Sequence, residues 1–495
     1  MKKALTRITF LVVAALMLLP LAACTTTAPT ISSGPASTVA ATTEAAATPT
    51  PDKATEAATE PTAAAAEPVK IMLWDKPNSD GKPVDVEIYN KSVELVTAKY
   101  PNIQIDWQSL APGVDYRQQY DKALMAGTAP TATKMFPYVD IPTRIGNGTI
   151  AEITDLVNTW DLKKQPGVVW TAFDEAISTK DGKWYAIPHD AYLMGTLVNK
   201  KALTAGGGDV TKLPKTWEEF AAVGQKVTDP AVPRFGYELV GMDWCAWPFT
   251  PWVWSAGGEM VRKNDDGTYK IGFNEDAGVD AAIFWNEMVW KYKMTQKDVL
   301  HDWNAVNNDV KSGRAVFSWA MPNWLTQDDL AKINATLDDF AEIGIPVKDP
   351  ATPIPSFSGG QVVTFNPKAT KDEIRAAFDV YTFMTYDEAF NSTMWEIQDK
   401  NGADDVNPCV NMSLTEKKYS YMKSIPDGLK ASLLELAKGA KPEPYCGNWN
   451  DLKNALVKPL QEILLTKDIS RDKVKQILDK CADELYAKYP ASFKK

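Results

Sequence analysis

Histidine is almost missing from this chain. Its 495 residues hold two, His189 and His301, which argues against a His-rich zinc or iron site and leaves few general bases of that kind. Cysteine is scarce as well, with five residues, none at the spacing of a metal knuckle, so no metal ligand set is nominated. Positive charge is in deficit: 53 Lys and Arg stand against 63 Asp and Glu, a formal net charge of −10, and without residues 1–23, which bring Lys2, Lys3 and Arg7 but no acid, it becomes −13. That balance speaks against a nucleic-acid partner, because phosphate binding draws its affinity from a basic surface. The glycines of Ser358-Gly359-Gly360-Gln361 come without the Lys-Ser/Thr pair or the glycine fingerprint of a phosphate cradle. No cofactor is implied.

What is present is enough apolar material to fold. With 45% hydrophobic, 23% charged and 10% aromatic residues, global disorder is excluded. The length exceeds what one core supports, since cores stop growing near ~250 to 300 residues, and implies about two to three domains.

The first 23 residues follow the plan of a secretory signal peptide: a basic start, an apolar run from Ile8 to Leu19, Pro20, then small residues. Leu21-Ala22-Ala23-Cys24 resembles the lipobox of bacterial lipoproteins, which makes Cys24 the expected lipid attachment and the extracytoplasmic face of the cell membrane the expected location. From Thr25 to Pro68 come 44 residues, of which 14 are Ala, 12 Thr and 6 Pro, with no aromatic. Nothing there can form a core, and six scattered prolines oppose a helix. Residues 24–68 therefore read as a tether, with an average reach of roughly 35 to 40 Å as a flexible coil.

In an exported chain the other four cysteines can be oxidised. Cys409 and Cys446, both in loop sequence, are the expected disulfide, whose closure would contribute about 4 kcal/mol by chain entropy. Four cysteines allow three pairings, and for Cys245, in an aromatic loop, and Cys481, in a helical pattern, a buried free thiol and a pairing of their own both stay open.

Beyond the tether, Val69 to Trp74 reads as a strand, Val84 to Tyr100 as a helix closed by Pro101, Ile103 to Trp107 as a strand, and Tyr116 to Ala126 as a helix stopped by Gly127. Strand, helix, strand, helix opens an α/β fold with a mostly parallel sheet wrapped by helices. Ligands in such sheets bind beyond the carboxyl ends of strands, which nominates the loops after Trp74, after Trp107 and near Phe136. Thr216 and Glu219 form a capping box for a helix starting at Trp217. Asn264-Asp265-Asp266-Gly267 reads as a hairpin turn, since the later ligands of a calcium loop are missing. Leu456 to Leu465 and Arg471 to Tyr489 have the spacing of amphipathic helices, with Pro459 expected in the opening turn of the first.

The order of these features resembles the extracellular solute-binding protein family 1, the sugar-type receptors of ABC importers. The resemblance is carried by Tyr100-Pro101-Asn102-Ile103, by Ala126-Gly127-Thr128-Ala129-Pro130, by Asp181-Gly182-Lys183-Trp184-Tyr185-Ala186-Ile187-Pro188, and by Ser255-Ala256-Gly257-Gly258. It continues with Lys311-Ser312-Gly313-Arg314-Ala315-Val316 and Pro322-Asn323-Trp324. It spans Val69 to Lys495 and implies two α/β lobes joined by a hinge of crossing segments: residues 69–190 plus 343–386, and residues 191–342 plus 387–495. It also implies a monomeric receptor without catalysis that closes on a carbohydrate and hands it to ABC permease subunits in the membrane.

A saccharide site pairs polar groups for hydroxyls with flat rings for C–H faces. The resemblance places the region from Asp243 to Trp252 near the cleft, with Trp247 and Trp252 as candidate walls, and Trp324 at the family's glycine-proline-tryptophan position, although Met321 and an extra Asn323 depart from that motif. Asp75 follows the first strand, Phe136 and Tyr138 occupy the loop where relatives carry an aromatic or acidic contact, and Asp190 and Tyr192 lie by the expected hinge. Gly359 and Gly360 permit close backbone approach. For each, a structural role is open: turn, cap or core. Two other functions stay open: the same fold binding a polyol, glycerol phosphate or polyamine, and a surface glycoside hydrolase, which needs two carboxylates roughly 5 to 9.5 Å apart.

Overall fold

The computed structural model describes residues 67–495 except 79–80, 111–114, 162–172, 243 and 403–404. The leader, Cys24 and the tether up to residue 66 lie outside the described residues. Among the described residues no helix is long and apolar enough to cross a membrane.

Two main sheets organise the body. The first runs in the order Ile103–Trp107, Val69–Leu73, Ala132–Pro137, Gln361–Phe365, Ala186–Pro188. Its three N-terminal strands are parallel, whereas Gln361–Phe365 is antiparallel to both of its neighbours. Four of its five strands thus run in one direction, and only Gln361–Phe365, which enters from a crossing segment, runs against them. The second sheet runs Phe340–Ile343, Thr196–Asn199, Ala315–Ser318, Phe235–Glu238.

The chain crosses between these sheets through a third. It leaves the first sheet at Pro188, adds Tyr192–Met194 to the three-stranded sheet, and enters the second at Thr196; on the way back it leaves Ile343, adds Ser356–Gly359 and re-enters the first at Gln361. The two crossings pair antiparallel. They are also tied by side chain and backbone: the N–H groups of His189 and Asp190 donate to the Gln361 carbonyl at 2.9 and 3.3 Å, and the Gln361 N–H donates to the Asp190 carboxylate at 2.6 Å. Gly359 and Gly360 are required here. A β-carbon on Gly359 would lie 2.1 Å from the Tyr192 ring, and one on Gly360 would lie 2.2 Å from the Asp190 carbonyl oxygen, so only glycine lets the crossings approach.

Local signals act where the sequence places them. The helix Tyr116–Ala126 ends at Gly127 with φ 75°, the left-handed cap that glycine adopts without strain. Thr216 caps Trp217–Val227, receiving the Glu219 N–H at 3.2 Å while Glu219 accepts from the Thr216 N–H at 3.1 Å. Residues 264–267 turn a hairpin between Val261–Lys263 and Tyr269–Ile271.

Two expectations need correction. Pro459 lies inside the helix Trp449–Leu465 and not in its opening turn, because the helix starts seven residues earlier than its hydrophobic spacing suggested. Proline has no N–H for the carbonyl four residues back; that carbonyl, of Ala455, instead faces the Cys481 thiol at 3.6 Å. The Cys409–Cys446 disulfide is likewise not formed; both are thiols. Cys446 is buried in the main apolar cluster near Trp449, whereas Cys409 packs against a second cluster containing Val406 and Leu414. Burial pushes their thiols up to about 12 and about 11, which keeps them protonated and unreactive.

Candidate functional site

The site is a cleft of about 480 Å³. Asp115, Tyr116 and Arg117, at the start of the helix Tyr116–Ala126, form one wall with Pro137 and Val139, just past a strand of the first sheet. Tyr192 comes from a crossing strand. Trp244 and Trp247 lie around the start of the helix Ala246–Ser255, Trp303 begins Trp303–Lys311, and Glu443, Asn450 and Lys453 complete the lining.

The aromatic wall is braced from behind. The Trp247 ring meets Tyr192 edge-on at 6.4 Å and Trp303 at 5.8 Å, and rests on Trp319 and Phe357 at 5.6 and 5.8 Å. Trp303 in turn is met edge-on by Trp324 at 4.6 Å. Rings held this way lose little freedom on meeting a ligand, and their faces suit the C–H faces of a sugar. Trp244 differs: it is 54% exposed and sits at φ 70°, a backbone region that bulky residues rarely occupy and that concentrates at ligand clamps.

The charged groups of the cleft are neutralised in pairs. Arg117 donates to Asp140 at 2.5 Å, and Asn450 donates to the other oxygen of the same carboxylate at 3.1 Å. Lys453 donates to Glu443 at 2.6 Å and lies 5.6 Å from the Trp244 ring, while the indole N–H of Trp449 donates to the same Glu443 oxygen at 2.7 Å. Asp115 caps its helix by accepting the Gln118 N–H at 3.0 Å. The result is a set of oriented donors and acceptors beside flat rings, with both cations of the lining paired to carboxylates.

A model of the bacterial extracellular solute-binding protein family matches residues 81–389 of the chain. The chain belongs to that family. Among solved structures, this solute-binding protein is similar to an ABC substrate-binding protein of Listeria monocytogenes in complex with cycloalternan, with a TM-score of 0.66 and 17% identity over 86% of this chain and 100% of the other. It is similar to the GacH receptor of Streptomyces glaucescens, studied unliganded and with acarbose, at TM-score 0.65 and 18% identity over 86% and 100%. It is also similar to UgpB of Mycobacterium tuberculosis in complex with glycerophosphocholine, at TM-score 0.64 and 15% identity over 86% and 100%. At such identities the likeness is one of fold, the two-lobed clamp with crossing segments between α/β lobes.

Of the residues nominated from sequence, the structure brings Tyr192 and Trp247 to the cleft. Trp324 stands behind Trp303 as a buttress. Three candidates are corrected to the core. Phe136 is fully buried between Tyr116, Tyr120 and the Arg144 guanidinium, and Trp252 is fully buried against Phe220, Tyr237 and Phe284. Tyr138 is fully buried too, its hydroxyl donating to the Glu443 carbonyl at 2.7 Å. Gly359 and Gly360 serve the crossing contact described above and not an approach to the cleft.

Asp75 and Asp190 belong to a polar cluster by the first sheet and the crossing. The Asp75 carboxylate lies 3.8 Å from Lys134, and one of its oxygens is buried without a hydrogen-bond partner. Burial, more than its neighbours, pushes Asp190 up to about 6, against the bond from Gln361. Burial and then the charge of Lys134 hold His189 neutral beside Thr385, 2.8 Å away. Sequence reasoning missed Asp115, Arg117, Trp303, Glu443, Asn450 and Lys453 as cleft residues. The Trp cluster carried a signal that includes Trp244; the charged residues carried none, since only the tertiary fold assembles them.

Proposed function

We propose that this solute-binding protein is an extracytoplasmic receptor, anchored to the membrane through Cys24 at the end of the 24–68 tether, that binds a carbohydrate in the cleft and delivers it unaltered to an ABC importer. It acts as a monomer, with the tether giving the folded body slack to meet permease subunits. Residues 69–190 plus 343–386 form one lobe and residues 191–342 plus 387–495 the other. The helix Glu388–Lys400 packs along Pro83–Lys99, with Lys400 paired to Glu87 at 3.4 Å, which argues for extending the first lobe through Lys400.

The observation that carries the ligand class is the pairing of braced aromatic rings with neutralised polar groups. A sugar asks for both. A phosphate-bearing solute would want a cation to spare, yet Arg117 and Lys453 each already hold a carboxylate. A ligand touching both walls biases the lobes toward closure, which is the signal a permease can read. The relatives solved with cycloalternan and with glycerophosphocholine define the panel for testing.

Calorimetry on the purified chain against mono- to tetrasaccharides, ribitol, glycerophosphocholine and spermidine decides the class. Saturable binding of at least one saccharide, with no reducing ends released on incubation, is expected. Binding confined to the other solutes would overturn the carbohydrate reading, and steady release of reducing ends would overturn the receptor reading.

A further inference from the structure

Behind the aromatic wall lies a group of side chains that sugar binding does not use. Glu238 closes the strand Phe235–Glu238, Asp309 lies near the end of the helix Trp303–Lys311, and His301 stands in the segment before that helix. The His301 Nδ1 is 2.8 Å from Glu238 Oε1 and 3.3 Å from Asp309 Oδ2, and one ligand atom from each residue fits within 4.8 Å of the others. Two atoms each about 2.0 to 2.2 Å from one ion, at tetrahedral or right angles, lie about 2.8 to 3.6 Å apart. The distances from His301 to Glu238 and to Asp309 already fall in that range.

Two further observations point to a missing partner. Glu238 is completely buried and its Oε2 has no hydrogen-bond partner. A buried acceptor without a donor is costly and rare. The two carboxylates are also served unequally: Glu238 and Asp309 face each other across the imidazole, and of the two the Arg314 guanidinium pairs with Asp309, on the oxygen turned away from His301. His301 is 21% exposed on its side chain, so the group opens to solvent on one side, from which an ion can enter and keep water.

We propose that Glu238, His301 and Asp309 bind one divalent transition cation of the Zn²⁺ or Mn²⁺ kind. One imidazole nitrogen with two carboxylates suits these ions, whereas Ca²⁺ takes six to eight oxygens in a wider cage. Arg314 holds the free oxygen of Asp309 and so orients the carboxylate, as supporting groups around metal ligands do. The site lies where an ion would fix the cleft wall. The His301 carbonyl accepts the N–H groups of Gly241 and Met242, both at 3.2 Å; Trp244 follows two residues later, and Trp303 is two residues beyond His301.

The test uses the purified chain stripped with EDTA and titrated separately with ZnCl₂, MnCl₂, CaCl₂ and MgCl₂, read by calorimetry and by the thermal midpoint. One equivalent of Zn²⁺ or Mn²⁺ should bind saturably and raise the midpoint by several degrees, with Ca²⁺ and Mg²⁺ at least tenfold weaker. Glu238→Gln and His301→Asn should each weaken the binding tenfold or more. X-ray absorption of the unmutated chain carrying one equivalent of Zn²⁺ should show nitrogen and oxygen neighbours, a readout that does not depend on the variants folding. Saturable binding by neither transition ion, equal binding in both variants, or sulfur in the zinc shell would overturn the proposal.

Discussion

Trp247 and Trp252 sit five residues apart on one helix, Ala246–Ser255, and face opposite worlds. Trp247 lines the cleft beside Tyr192 and Trp303, while Trp252 is buried among Trp217, Phe220, Tyr237 and Phe284, its indole N–H donating to the Tyr237 hydroxyl at 3.3 Å. Five helical residues turn about 500°, so the two rings point roughly 140° apart. The same side chain therefore belongs to the core on one face and to the cleft lining on the other, and the difference lies wholly in what surrounds it.

The comparison breaks most clearly at Trp252. Trp252→Ala opens a void among rings that cannot close it, and a loss of about 3 to 5 kcal/mol is expected. The denaturation midpoint should fall with an unchanged denaturant slope, while the fraction that stays folded binds its solute as before. A large loss of affinity in folded protein, with stability intact, would show that Trp252 belongs to the cleft.

The dry side holds one group that sharpens the contrast. Glu342, on the strand Phe340–Ile343, is 1% exposed; one of its oxygens accepts the Gly195 N–H at 2.9 Å and the other has no partner. Burial, opposed by that one bond, raises its carboxyl to about 8. In the unfolded chain it titrates near the ordinary carboxylate value, so between about pH 4.5 and pH 8 the folded state holds the extra proton, and stability falls as pH rises through that window. Glu342→Gln, neutral at every pH, should remove this slope and stabilise the protein at pH 8 by on the order of 3 kcal/mol. Melting curves from pH 5 to pH 8 would show it; a variant with the same pH slope as the parent would assign the slope to other groups.

On the wet side the stakes are smaller. Trp247→Ala should weaken solute binding about tenfold, near 1.4 kcal/mol, and cost less stability than Trp252→Ala because the ring is only half-buried. Calorimetry with the best solute from the panel reads the first effect and denaturation the second. Unchanged affinity would remove Trp247 from the wall.

Which features the sequence disclosed follows from how local their causes are. The strand Ile103–Trp107 and the helix Tyr116–Ala126 are bounded by Pro101 and Gly127 and stand where the residues predict, as does the Thr216–Glu219 cap, whose bonds span three residues. The hinge glycines were visible as glycines, but their reason was not, since the Tyr192 ring and the Asp190 carbonyl arrive from another crossing. Phe136, Tyr138 and Trp252 carry the composition of a wall and the burial of a core, a distinction that depends on Arg144, two turns of helix further on, and on Phe284 and Glu443, more distant in the chain. Pro459 misled because the helix around it is held by burial of Trp449, Leu452 and Leu456, against the local preference of proline. The charged half of the cleft pairs Arg117 with Asp140, whose other oxygen accepts from Asn450, over 300 residues away, a separation at which no spacing rule operates.

The smallest effect is the one in which recognition and stability should part in sign. Trp244 holds φ 70°, where a β-carbon meets its own backbone at a cost of roughly 1 to 2 kcal/mol, yet its ring is more exposed than any other tryptophan's among the described residues. Little packing offsets the strain; its ring contact is the ammonium of Lys453 at 5.6 Å, a cation–π attraction on the order of 0.5 to 1 kcal/mol at an exposed site. Glycine adopts this conformation without the β-carbon clash, at some entropic cost. Trp244→Gly should therefore leave the fold as stable as the parent or up to about 1 kcal/mol more stable, while weakening the solute severalfold. A strained residue retained at a cleft mouth is explained by what it binds. If Trp244→Gly proved clearly less stable with its affinity intact, the strain would be serving the fold, and the contrast between the two faces would stop at Trp247.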